Sequence, residues 1–166
     1  MNPSRAQRRA LFGFCALVLL NMTGCATPTP KSSDIGTFWA GRLAIQLQTT
    51  PPQNWSVTFE LNGSAEQGQM ILLSPIGTTL ARLSWTPQLA ILEKGPDQTI
   101  SSNLQNLSQQ LAGTELPIAA MFEWLAGRTG DAPGWQVDLS QHLQGRLSAK
   151  RVSPEPEAVL RILLDQ

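Results

Sequence analysis

The 166 residues carry twelve Lys+Arg against twelve Asp+Glu, a formal net charge of zero, so no basic surface for nucleic acid is implied. Both cysteines precede residue 26 and there is one histidine, which excludes a disulfide framework and a cysteine–histidine metal site from the rest of the chain. At the N-terminus Arg5, Arg8 and Arg9 lead into the apolar run 10–20. That run is shorter than the roughly 20 apolar residues of a spanning helix, but it suits the core of an export signal. It closes on Met22-Thr23-Gly24-Cys25, where small residues let a peptidase read extended backbone.

That tetrapeptide resembles the lipobox of bacterial lipoproteins, with Met22 where Leu is usual. The resemblance implies that residues 1–24 are a signal peptide, and that Cys25 takes a diacylglyceryl group and becomes the mature N-terminus. The residues alone also allow an ordinary secretory signal with an incidental cysteine. Removing 1–24 leaves 142 residues with nine Lys+Arg and twelve Asp+Glu, a net charge of −3 and enough chain for one domain with a core. Anchoring then falls to acyl chains, of which more than one is needed for a stable hold. Residues 25–36, rich in Thr, Pro and Ser, read as a flexible tether; the eleven residues after Cys25 reach at most ~40 Å. Ala26, not Asp, follows the cysteine, which resembles a lipoprotein sorted to the outer membrane.

Residues 37–166 are expected to form one domain. From Phe38 the pattern has period two, with Trp39, Gly41, Leu43, Ile45 and Leu47 on one face. Pro51-Pro52 ends that strand. Trp55, Val57, Phe59 and Leu61 alternate with polar residues in a second strand, which Asn62-Gly63 is expected to close as a tight turn. A third strand spans 67–73, and a fourth spans 78–85 beyond Ser74-Pro75-Ile76-Gly77. Residues 89–93 and 98–101 flank a turn at Gly95-Pro96-Asp97.

The period then becomes helical. Ser101-Ser102 is expected to cap a helix with stripe Leu104, Leu107 and Leu111, ended by Gly113. Pro117 suits the first turn of a second helix, with Ile118, Met121, Phe122 and Leu125 at helical spacing and Gly127 as its stop. Strands return at 134–139, 145–152 and 158–164. The fold class is mainly β with an α+β element order: a curved antiparallel sheet with two short helices across its concave face.

No catalytic constellation is present. His142 lies among polar residues and is expected to sit in a solvent-exposed loop, with no Gly-x-Ser-x-Gly elbow to pair with it. Glu155 and Glu157 stand in a proline-rich loop, where solvation explains them. The glycines mark turns and helix ends, not a phosphate loop. Neither a cofactor nor a metal is expected. The apolar faces read as packed core or as the lining of a lumen, and composition alone does not choose between them. Ile76 is the pointed feature: Pro75 and Gly77 force a turn, and its tip is bulky and apolar where tips are normally polar. It either tucks back into the core or aims at a membrane or an acyl chain.

Trp39-x-Gly41-Arg42-Leu43, Leu72-Leu73-Ser74-Pro75-Ile76-Gly77, Leu116-Pro117, Trp124-Leu125-x-Gly127 and Gly134-Trp135-x-Val137 follow one another in order behind the lipobox. In that order they resemble the LolB family of outer-membrane lipoprotein receptors, from Phe38 to Leu164. The resemblance implies an open, incomplete antiparallel β-barrel whose helices cover an apolar cavity. It also implies a partner, the periplasmic carrier LolA, and cargo acyl chains that pass through the cavity into the outer membrane. Pro75, Ile76 and Gly77 map onto the family's membrane-insertion loop, whose tip is usually Leu. Leu43, Ile45, Trp55, Val57 and Phe59 are the candidate cavity lining from the first two strands. Leu72, Leu83, Met121 and Leu125 complete it. A monomer, lipid-anchored at the outer membrane and facing the periplasm, is the expected form. Beside the family pattern the stretch after Trp135 is short and lacks part of a strand pair, and the chain stops at Gln166 without the closing Trp-containing segment. One cavity wall is therefore expected to be more open. The competing readings are a structural outer-membrane lipoprotein that scaffolds an envelope complex, with a filled interior, and a lipid-modifying hydrolase built around His142.

Overall fold

The computed structural model describes residues 37–165. The segments assigned to signal and tether, with Cys25, lie outside them. Nine strands form one sheet, every neighbouring pair antiparallel. They are β1 (Thr37–Leu47), β2 (Gln53–Gly63), β3 (Gly68–Leu73), β4 (Thr79–Trp85), β5 (Ala90–Lys94), β6 (Asp97–Ser101), β7 (Trp135–Asp138), β8 (Arg146–Arg151) and β9 (Ala158–Leu164). Between β6 and β7 come two helices, α1 (Leu104–Ala112) and α2 (Ile118–Leu125).

The spatial order is β6-β5-β4-β3-β2-β1-β9-β8-β7. The last strand thus returns beside the first, and each of β1 to β5 pairs with its successor in the chain. The sheet does not close: β6 and β7 are its two edges, five and four residues long. Short edge strands limit unwanted pairing with other chains. The three strands after Gly134 join β1 as one wall, and that wall ends at the short β7.

Period two fixes which side faces inward. Across the sheet Gly41 lies opposite Phe59 and Phe59 opposite Leu72, while Leu61, Met70, Leu83 and Leu92 form the neighbouring inward row. Leu43 pairs with Ile162 and Ile45 with Leu160 on the other wall. The helices lie against this concave side, and six of the eight α2 residues are buried. Phe122 packs edge-on between Trp39 of β1 and Trp85 of β4, with ring centroids 5.5 and 6.1 Å apart. Each such fully buried side chain is worth about 1.5–3 kcal/mol of transfer free energy. This single apolar cluster holds the open sheet together.

Local chemistry shifts three expected details. The tight turn after β2 is not at Asn62-Gly63: the strand runs through Gly63, which pairs with Gly68, and Ser64–Gln67 makes the turn. Ser64 Oγ accepts from the Glu66 and Gln67 amides, while a Cβ on Gly63 (φ 101°) would lie 2.3 Å from the Gln67 carbonyl. The strands approach too closely there for any side chain. The N-cap of α1 is Asn103, whose Oδ1 accepts from the Asn106 amide, because Ser101 still belongs to β6. His142 opens a 3-10 turn (His142–Gln144) and is half-buried, not free in a loop. Its Nε2–H donates to the Leu125 carbonyl at 2.9 Å, satisfying one of the orphan acceptors at the end of α2.

Candidate functional site

The nine cavity candidates come from four strands and one helix and meet in a single apolar cluster. Leu43, Ile45, Phe59, Leu72, Leu83, Met121 and Leu125 are buried within it; Trp55 and Val57 are half-buried and packed against it. Sequence reasoning left out Leu61, Met70, Leu107, Leu116 and Leu160, which are equally buried. The signal for Leu61 was present, since it continues the alternation of β2. Leu43, Phe59, Leu83 and Met121 are each 0 % exposed, so no water-sized sphere touches them. The space between sheet and helices is largely apolar, with Ser108 and Thr114 buried as exceptions, and is filled by the chain's own side chains.

The α1–α2 connection is the part of the cover with a defined polar tie. Ser108 is fully buried; its hydroxyl donates to the Gln105 carbonyl and accepts from the Leu116 amide 3.1 Å away. Gly113, at φ 73°, ends α1, and its amide donates to the Gln109 carbonyl. Arg128 holds Glu123 near the end of α2 through two contacts, at 2.6 and 3.1 Å. That hydrogen-bonded guanidinium keeps the Glu123 carboxyl below its usual range.

Ile76 stands apart from all of this. It is 89 % exposed at the tip of the β3–β4 turn. The turn is tied three times through Ser74: its carbonyl accepts from the Gly77 amide, its amide donates to the Thr78 carbonyl, and its hydroxyl accepts from the Thr78 amide. Gly77 supplies the positive φ (82°) that the turn requires. Pro75, Ile76 and Gly77 are all exposed, and of the two readings of Ile76 the outward one is the geometry observed.

A cleft of about 410 Å³ lies between the starts of the two helices and strands β7 and β8. Leu104 and Gln105 of α1, the stretch Leu116–Ala120, Trp135 of β7 and Arg151 of β8 line it, together with the carboxylates Glu115 and Asp131. Arg151 was not singled out by sequence, although it continues the inward alternation Leu147, Ala149, Arg151. It is 5 % exposed, lies 5.6 Å from the centre of the Trp135 ring, and donates through Nη2 to the Pro156 carbonyl. Burial pushes its guanidinium down from the ordinary value, partly offset by the charge of Glu115. A second groove, of about 500 Å³, lies on the outer face of the sheet among Arg42, Arg146 and Arg161.

Comparison with known proteins gives a consistent answer. The family model described as "Outer membrane lipoprotein LolB" matches residues 38–154. The match thus runs from the start of β1 to the loop after β8 and stops short of β9. An outer-membrane lipoprotein LolB from Bordetella petrii is 27% identical over 182 aligned residues, covering 93% of this chain and 89% of the relative. One from Shewanella baltica is 28% identical over 159 residues, covering 88% and 71%. One from Vibrio parahaemolyticus reaches 34% over 95 residues, covering 57% of this chain and 47% of its own length. This chain belongs to the LolB family of outer-membrane lipoproteins.

Proposed function

We propose that this chain accepts lipoproteins from a LolA-type periplasmic carrier, shelters their acyl chains beneath α1 and α2, and inserts them into the outer membrane. Cys25 carries its own anchor, Ile76 is the element that enters the bilayer, and the protein works as a monomer. Acyl chains are worth about 0.8 kcal/mol per buried CH₂, so they need an apolar host at each handover and then a membrane that holds them better. Transfer by such differential burial needs no nucleophile, cofactor or metal, and the protein is accordingly no enzyme. The observation that carries this reading is Ile76, an apolar side chain held 89 % exposed by a turn tied three times through Ser74. Because the interior is filled in the free protein, the cargo's chains enter by displacing α2 and the apolar side chains under it.

The test is a liposome-transfer assay with cargo preloaded on the purified protein. Ile76→Glu is expected to retain cargo and fail to deliver it; delivery at the wild-type rate would overturn the proposal. The scaffold reading draws on one observation, the filled interior, and the same preparation decides it. A fluorescent fatty acid that binds the purified protein excludes it, whereas failure to bind supports it.

A further inference from the structure

The cleft beside Trp135 combines apolar and charged groups, which a purely apolar container does not need. Its floor is greasy, built from Leu116, Pro117, Ile118 and Ala120, yet one wall carries a buried cation. Arg151 is 95 % buried, and its Nε has no hydrogen-bond partner. Leaving a guanidinium donor unpaired away from water costs more than the bond itself would contribute. The two contacts that Arg151 does make fix its direction. Trp135 packs against it and the Pro156 carbonyl holds Nη2, so the guanidinium is held in place beside the cleft. No carboxylate stands within ion-pairing distance of it among the described residues, although Glu115 and Asp131 also line the cleft and the Glu115 charge acts on the guanidinium.

An amphiphile fits this arrangement better than a plain hydrocarbon does. We infer that Arg151 is a recognition residue for the polar junction of the cargo, donating to the ester and amide carbonyls that join acyl chains to the lipidated cysteine while the chains run over the Leu116–Ala120 floor. The inference rests on the lipoprotein-transfer reading and deepens it, by naming what the protein grips at the boundary between lipid and peptide. The chemistry matches in sign and number. A guanidinium offers only donors, and the acylated cysteine offers carbonyl oxygens that have lost their water on entering the cleft. A cleft of about 410 Å³ lies within the range of small-ligand pockets, roughly 300–1,000 Å³. It is large enough for the junction and the first methylenes, with the remainder of the chains passing under α2.

Two fluorescent probes test the inference on the purified full-length protein: a triacylated cysteinyl peptide, and an alkane of the same chain length with no acceptor atoms. Arg151→Gln is expected to weaken peptide binding about tenfold, the scale of a lost charge-assisted hydrogen bond, and to leave alkane binding unchanged. Arg151→Lys should recover part of the loss, since it restores the charge without the fork. Undiminished peptide binding in Arg151→Gln, or an equal loss for both probes, would overturn the inference and leave Arg151 a structural brace. A measurement on the wild-type protein alone stands beside the variants: a diether analogue of the peptide, lacking the two ester carbonyls, should bind several-fold more weakly, and equal affinity refutes the role. If the wild-type protein binds neither probe, the transfer reading fails together with this one. If it binds both without discrimination, this inference fails alone.

Discussion

Ile76 and Met121 are both bulky and apolar, and the fold places them in opposite surroundings. Met121 is 0 % exposed beneath the sheet, whereas Ile76 is 89 % exposed at the tip of a turn. The first stabilises the fold by leaving water. The second contributes nothing of that kind, because it leaves water only when something else covers it. The difference separates two uses of one chemistry, and it follows from geometry: α2 turns its side chains toward a concave wall, and the Pro75–Gly77 turn leads its tip away from every wall. Substitutions in the interior should therefore change stability, and substitutions at the tip should change only what the tip meets.

The widest separation is expected from Phe59→Ala. Phe59 is fully buried opposite Gly41 and Leu72, so its loss should cost about 3–5 kcal/mol in urea unfolding. A cost under about 1 kcal/mol would mean that the interior is loosely packed even when empty of cargo. Ser108→Ala comes next. It strips the buried Leu116 amide of its acceptor, and about 1–3 kcal/mol should go. Because this tie holds the α1–α2 connection, amide exchange in 113–116 should accelerate more than in β1. Ile76→Glu should then leave the unfolding midpoint within about 0.5 kcal/mol of wild type while abolishing delivery. A large stability loss there would blur the contrast.

The smallest effect concerns acid. The carboxyls of Glu66 and Asp138, both exposed, and of half-buried Glu123 are held below their usual range, by the Ser64 hydroxyl, the Ser140 amide and the Arg128 guanidinium respectively. A carboxyl depressed in the folded state adds stability above its unfolded pKa and loses it as pH falls through the folded value. Stability should therefore decline on acidification across the carboxylate range. Glu123→Gln should flatten that decline slightly and leave the neutral midpoint nearly unchanged, as followed by thermal melts at stepped pH.

Much of the architecture was legible residue by residue. Alternation in β1 and β2 identified the inward faces, because a strand turns successive side chains to opposite sides whatever it pairs with. Gly113 and Pro117 marked the helix ends for reasons equally local: one supplies a left-handed backbone and the other lacks an amide hydrogen. The β2–β3 turn was misplaced because Asn62-Gly63 is a turn signal only if the strands part there. Whether they part depends on Gly68 of the partner strand and on Gln67 of the turn. His142 was misread for the same reason, since its acceptor, the Leu125 carbonyl, lies 17 residues away on a helix. At the site, Pro75-Ile76-Gly77 announced itself because the forced turn and the apolar tip are adjacent in the chain.

The sequence alone determined the strand faces, the helix stripes and the apolar turn tip, all properties of neighbouring residues. Only the tertiary structure decided that the interior is filled, that the sheet stays open between β6 and β7, and that Arg151 is buried beside a cleft with a donor to spare. Those outcomes depend on the distance between walls built from opposite ends of the chain, and a one-dimensional pattern encodes which way a side chain points but not how much room it finds there.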